Sequence, residues 1–156
     1  MNILILTYQG DIAGSTNSIS YLARGLSEKG HNVYVGCRRE SLLYSLLKDT
    51  KVNLIEMTFK SKLDYKNMKR INEFVKKYNI DIINAQSSKD RYTSIFSKIL
   101  YRFDSKIVHT RRQTPKSSGF FLQNWLYNKF TDMFVAVSDE VKEELIKGGI
   151  AKDKIR

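Results

Sequence analysis

Apolar and polar positions follow two periods along this chain, and the switching between them predicts its elements. Residues 3–6 form a short continuous apolar run, and the stretch from there to Thr16 holds Gly10, Gly14 and small polar residues. Such a run reads as a strand buried on both faces, and the stretch after it as a loop. Ile19, Leu22, Ala23 and Leu26 then recur at helical spacing, and Gly30 stands where a helix commonly stops. A helix is therefore predicted over residues 16–29. Val33, Tyr34 and Val35 predict a second strand, with Cys37, Arg38 and Arg39 at its far end.

The alternation continues. Leu42, Leu43, Leu46 and Leu47 mark a short helix, and a third strand falls around residues 54–57. Asp64 suits the N-cap of a long helix in which Met68, Ile71, Phe74, Val75 and Tyr78 form one apolar stripe opposite lysines. Residues 80–85 predict a fourth strand, and 106–110 a fifth. Between them Tyr92, Ile95, Phe96, Ile99, Leu100 and Phe103 repeat at steps of three and four, the pattern of another amphipathic helix. Residues 111–119, with the only proline, Pro115, predict the one long irregular connection. Leu122, Trp125, Leu126 and Phe130 give the next helical face, residues 133–137 a sixth strand, and Ser138 the cap of a last helix that ends at Gly148 and Gly149. Strands alternating with helices in this way predict an α/β fold: a Rossmann-like, doubly wound, mainly parallel sheet of about six strands with helices on both faces. The whole of 1–156 reads as a single such domain.

Composition narrows this picture. A chain of 156 residues that is 42% hydrophobic can bury one proper core and leaves little room for a second. One cysteine and two histidines allow neither an internal disulfide nor a zinc-type spacing, so no metal is expected and a reduced, cytoplasmic setting fits best. The opening residues lack the basic leader and cleavage site of a signal peptide, and no apolar run approaches the roughly 18 to 20 residues that span a bilayer. The net charge of +11 implies an anionic partner without choosing among nucleic acid, phospholipid and phosphorylated small molecules.

In an open parallel sheet the ligand lies outside the carboxyl ends of the strands. Four loops are predicted there. The first carries Gly10, Gly14, Ser15 and Thr16, where glycine permits close backbone approach and helix-start amides favour phosphate; an ordinary turn would use the same residues. Gly10 and Gly14 do not make a G-x-G-x-x-G, so a nicotinamide or flavin cofactor is poorly supported. The second holds Gln86, Ser87 and Lys89, suited to a sugar hydroxyl and a phosphate, although Ser87 or Ser88 could simply cap a helix. The third is Arg111, Arg112, Gln113 and Thr114, where arginine suits bidentate phosphate recognition. The fourth begins at Ser138, which capping alone explains. His31 lies away from this rim and His109 within a strand, so both read as structural, and no nucleophile elbow, paired carboxylates or P-loop lysine occurs.

Eight basic residues run from Lys89 to Lys116 (Lys89, Arg91, Lys98, Arg102, Lys106, Arg111, Arg112, Lys116) against Asp90 and Asp104 alone. With Phe120 and Phe121 beside them, Lys89, Arg91, Lys98, Arg102 and Lys116 form a candidate surface for anionic lipids, the aromatics otherwise being core. A non-catalytic basic module for nucleic acid or other anionic ligands is the competing class. It ranks lower, because no nucleic-acid recognition element is present.

Several segments together resemble the N-terminal, acceptor-side domain of a GT-B glycosyltransferase of glycosyltransferase family 4. They are the opening strand and loop of residues 2–15, the helix text Leu-Ala-Arg-Gly-Leu-Ser-Glu-Lys-Gly-His-Asn-Val from Leu22, and Asp-Ile-Ile-Asn-Ala-Gln from Asp81. Val-His-Thr-Arg-Arg-Gln-Thr-Pro from Val108, Val-Ala-Val-Ser-Asp-Glu-Val from Val135 and Gly-Ile-Ala-Lys-Asp-Lys-Ile from Gly149 are similar to the family's lipopolysaccharide-type branch. The resemblance implies metal-independent, usually retaining transfer of a sugar from a nucleotide diphosphate donor to a glycan or lipid-linked acceptor; with the basic and aromatic surface above, it fits a cytoplasmic protein that can sit at the inner face of the cell membrane. It implies that residues 10–16 approach diphosphate and acceptor. It also implies a second Rossmann-like donor domain after Arg156, without which the chain would transfer sugar slowly or not at all. Gln86 and Arg112 stand where the family often has histidine, so no catalytic residue is assigned.

Overall fold

The computed structural model describes residues 1–11, 13–113 and 121–156. Six parallel strands form one sheet: β1 (Asn2–Leu6), β2 (Asn32–Cys37), β3 (Asn53–Glu56), β4 (Ile82–Ala85), β5 (Lys106–Arg111) and β6 (Met133–Ala136). Their order across the sheet is β3-β2-β1-β4-β5-β6. The helices are α1 (Ala13–Glu28), α2 (Leu42–Leu47), α3 (Tyr65–Tyr78), α4 (Ser88–Tyr101), α5 (Phe121–Phe130) and α6 (Asp139–Lys147). This is the doubly wound fold that the alternating pattern predicts. Beyond it, residues 155–156 return beside β6: Ile155 bridges Phe134 in parallel, and the Arg156 N–H donates to the Phe134 carbonyl at 2.9 Å.

The short apolar strands work because successive side chains leave opposite faces of the sheet. Ile3 and Ile5 join Ile19 and Ala23 of α1 and Leu43 and Leu47 of α2 in one core layer. Leu4 and Leu6 join Ile71 and Val75 of α3, Ile83 and Phe103 in the other. A third cluster gathers Ile107, Phe134, Tyr127 of α5, and Val141 and Leu145 of α6 around β5 and β6. Asp64 caps α3 by accepting the Asn67 N–H at 3.1 Å, and Ser138 caps α6 by accepting the Val141 N–H at 3.3 Å. Gly30, at φ 85°, takes the left-handed conformation that ends α1.

Two elements differ from the sequence pattern. α1 starts at Ala13, three residues earlier than its apolar repeat, so Gly14, Ser15 and Thr16 lie in its first turn rather than in a loop. In α4 the apolar repeat is only partly the buried face. Ile95 is fully buried, whereas Ile99 and Leu100 are exposed, and the inward positions include Asp90, Arg91, Thr93, Ser94 and Ser97. Small hydroxyl side chains let α4 approach α3 closely and satisfy themselves on carbonyls: Ser97 donates to Met68 O at 2.7 Å, and Ser94 to Arg91 O at 2.8 Å.

Candidate functional site

The strand order reverses between β1 and β4, so the segments leaving these two neighbouring strands part company at the carboxyl edge and open a crevice there. One carboxylate joins them. Asp90, wholly buried in the first turn of α4, accepts the Gln86 and Ser87 N–H groups, each at 2.8 Å, and the Tyr8 N–H at 3.2 Å. The Ser87 contact is the reciprocal half of a capping box, with Asp90 three residues after the N-cap. Thr7 adds a second tie, its hydroxyl 3.2 Å from that of Ser87. Burial pushes the Asp90 carboxyl up to about 7, opposed by its amide donors and by the charge of Arg91.

The two glycines of the first loop have different roles. A Cβ on Gly10 would lie 2.7 Å from Ser41 Cβ, so Gly10 is small because the start of α2 packs on it, and its carbonyl accepts the Leu43 N–H at 3.0 Å. A Cβ on Gly14 would meet no described residue within 4 Å. Gly14 is thus the exposed position where an outside group can approach the amides at the start of α1. Ser15 follows in the same turn, and Thr16 is fully buried with its hydroxyl unpartnered.

Gln86 and Ser87 are nearly buried rather than open. Gln86 donates to Asn84 Oδ1 at 2.8 Å and accepts from the Arg112 guanidinium, while Thr110 donates to the same Asn84 oxygen at 3.1 Å. Arg112 also reaches the Ser18 hydroxyl of α1 at 3.3 Å, so it spans the crevice from the β5 side to the β1 side. Lys89 lies over the Tyr8 ring, 4.9 Å from its centroid. The segment after β1, the start of α4 and the end of β5 are therefore one constellation, as the sequence places them. Thr114, Lys116 and Phe120 lie outside the described residues, as does the side chain of Phe121.

The proposed anionic-surface residues do not form one surface. Arg91 is 9% exposed, because its position in α4 turns inward toward β5. Lys98 donates to Ser105 O at 2.8 Å and pairs with Asp132 at 3.6 Å. Arg102 caps the carboxyl end of α4 at φ 54°, remote from the rim. His109 is fully buried, edge-on to Tyr127 and Phe134, and burial lowers its pKa well below the usual histidine value. Cys37 is buried and its thiol is pushed up to about 11, the behaviour of an inert core residue. Sequence reasoning missed Asp90, although the Ser87-x-x-Asp90 spacing is a capping-box signal, and it missed Tyr8 and Ser18, which carry no motif. Among the described residues no group of acids, cysteines and histidines is arranged to hold a metal ion.

A doubly wound half-cleft lined by glycine, amides and arginine offers donors suited to phosphate, and comparison with known proteins gives its family. Residues 12–156 match the family described as Glycosyltransferase Family 4, and the chain belongs to that family. No curated protein matches it in sequence. Among solved structures, Anabaena HepE in complex with UDP-glucose superposes with a TM-score of 0.79 at 16% identity, covering 100% of this chain and 43% of that one. A glycosyltransferase from Rickettsia africae superposes with a TM-score of 0.79 at 25% identity, covering 99% of this chain and 41% of that one. The lipopolysaccharide outer core galactosyltransferase WaaB gives 0.70 at 15% identity, covering 100% and 44%. The chain thus spans less than half the length of these structures, and its fold is that of one Rossmann-like half of a GT-B glycosyltransferase.

Proposed function

We propose that this chain is the N-terminal, acceptor-side half of a glycosyltransferase that moves a sugar from a nucleotide diphosphate donor to a polysaccharide or lipid-linked glycan. The observation that carries the reading is the rim: Gly14 leaves the first turn of α1 open to an approaching group, and Arg112 bridges from β5 to α1 beside it. Family membership supports sugar transfer, and the similar HepE structures are complexes with UDP and with UDP-glucose. The likeness to WaaB, a lipopolysaccharide outer core galactosyltransferase, supports an envelope glycan as acceptor.

In this reading the transfer is retaining and needs no metal, the donor is gripped mainly by a second Rossmann-like half, and residues 1–156 by themselves transfer sugar slowly or not at all. The protein works in the cytoplasm, against the inner face of the membrane; no described helix is long and apolar enough to cross one. The test is sugar transfer from UDP-glucose and other nucleotide sugars to lipid-linked glycan, by residues 1–156 alone and by the chain continued through a second Rossmann-like half. Transfer only by the two-half protein is expected. Efficient transfer by residues 1–156 alone would overturn the division of labour.

A further inference from the structure

We propose that Arg91 and Arg111 form a built site for a phosphate or diphosphate carried by the acceptor; the word acceptor rests on the function proposed above, the anion site on geometry alone. Arg91 sits near the start of α4 and Arg111 ends β5, so both belong to the β4 and β5 side of the rim, away from the glycine turn of α1. Arginine is almost never buried to this degree without a partner. Arg91 nevertheless has its Nε buried with no hydrogen bond, and among the described residues neither guanidinium enters an ion pair.

The sequence makes the shortage of acids deeper. No Asp or Glu occurs between Asp104 and Asp132, and the carboxylate next in the chain to Arg91, Asp90, is already held by three backbone amides. Beneath the pair, His109 is fully buried with Nε2 unpartnered. The two cations act on each other: burial and the charge of Arg91 pull Arg111 down to about 10, and burial first, then both charges, lowers His109 well below the usual histidine value. A buried cation with a free donor, Arg91, beside a second, half-buried cation, Arg111, is costly unless an anion joins them. A phosphate oxygen fork matches guanidinium donors, and two guanidiniums match a doubly charged group. A neutral sugar hydroxyl would not require either charge.

The test is calorimetric titration of the chain with inorganic pyrophosphate, geranyl diphosphate and UDP, together with thermal midpoints, for wild type, Arg111→Gln, Arg91→Lys and the exposed control Lys66→Gln. Saturable binding of pyrophosphate and geranyl diphosphate at one site is expected, weakened at least tenfold by R111Q, weakened less by R91K and unchanged by K66Q. Without anion, R111Q is expected to melt at or above the wild-type temperature, because it removes one of two repelling cations. The proposal is overturned by no saturable binding, by equal binding in R111Q, or by an R111Q chain that unfolds, which would make Arg111 a structural partner. UDP binding at least tenfold tighter than pyrophosphate, and lost in R111Q, would assign the anion to the donor and overturn the acceptor role. None of these readouts uses sugar transfer, so failure of the proposed function leaves them standing, and their failure leaves the transfer assay standing.

Discussion

Asp90 holds the segments after β1 and β4 on a single side chain, so its chemistry sets how firmly the crevice is built. Asparagine in its place keeps one acceptor oxygen but turns an NH2 group toward amides that need acceptors. D90N is expected to lose roughly 1–3 kcal/mol, read as a shift in the urea midpoint. The pH dependence has a definite sign. The folded chain keeps this carboxyl protonated up to about 7, whereas its ordinary value is 3.8. Between those values the folded state binds more protons than the unfolded one, so this group's contribution falls as pH rises from about 4 to about 7 and is level above. Wild type should therefore lose more stability than D90N between pH 5 and pH 8; an identical pH response would contradict the burial argument.

The glycines make a paired prediction at the same scale. Gly10→Ala forces a methyl group against Ser41 and should cost roughly 1–3 kcal/mol. Gly14→Ala meets no described residue and should leave stability unchanged or raise it by up to about 1 kcal/mol. If this chain works as half of a glycosyltransferase, as proposed above, G14A should nevertheless raise KM of the two-half protein, since its methyl group occupies the space through which ligand reaches the helix amides. Thermal midpoints and steady-state kinetics separate the two effects. Equal destabilisation by both variants would refute the distinction between a packing glycine and an open one.

Among the elements, α4 shows most clearly how tertiary packing overrides periodicity. Its hydroxyl-lined face lets two helices meet closely, and each hydroxyl finds a carbonyl, which an apolar face could not supply. Ser97→Leu should cost roughly 1–3 kcal/mol by overpacking against α3. Leu100→Lys, on an exposed position that the apolar repeat marks as core, should change stability by no more than about 0.5 kcal/mol. Urea unfolding of the two variants checks this directly, and the reverse order of costs would mean that the repeat, not the serines, faces inward. The six strands were readable because each is a short apolar run bounded by polar or turn residues. The start of α1 was not, because Ala13, Gly14 and Ser15 carry no apolar repeat and are drawn into the helix by the amphipathic turns C-terminal to them.

Across the whole molecule, the location of the site was more legible than its construction. Alternating strands and helices predict a doubly wound sheet, and the carboxyl edge of such a sheet carries the ligand whatever the chemistry. That reasoning brought Gly14, Gln86, Ser87, Arg111 and Arg112 to one rim. The burial of Gln86, Ser87 and Arg91 depends on how α4 seats against β4 and β5, which no local pattern records. The charge of +11 behaves likewise: part of it is spent internally, as where Lys98 and Lys106 share Asp132, and part stands inside the rim, where Arg91, Arg111 and Arg112 make no ion pair among the described residues. A count of basic residues cannot distinguish the two.

The central claim is that the carboxyl edge of this sheet is the ligand face of a glycosyltransferase half. Hydrogen exchange of the 156-residue chain, with and without a lipid-linked glycan, tests it most directly. Slowed exchange is expected over residues 7–16, 86–91 and 111–113, with the opposite edge around Gly30, Asn79 and Arg102 unchanged. Protection confined to that opposite edge would contradict the account.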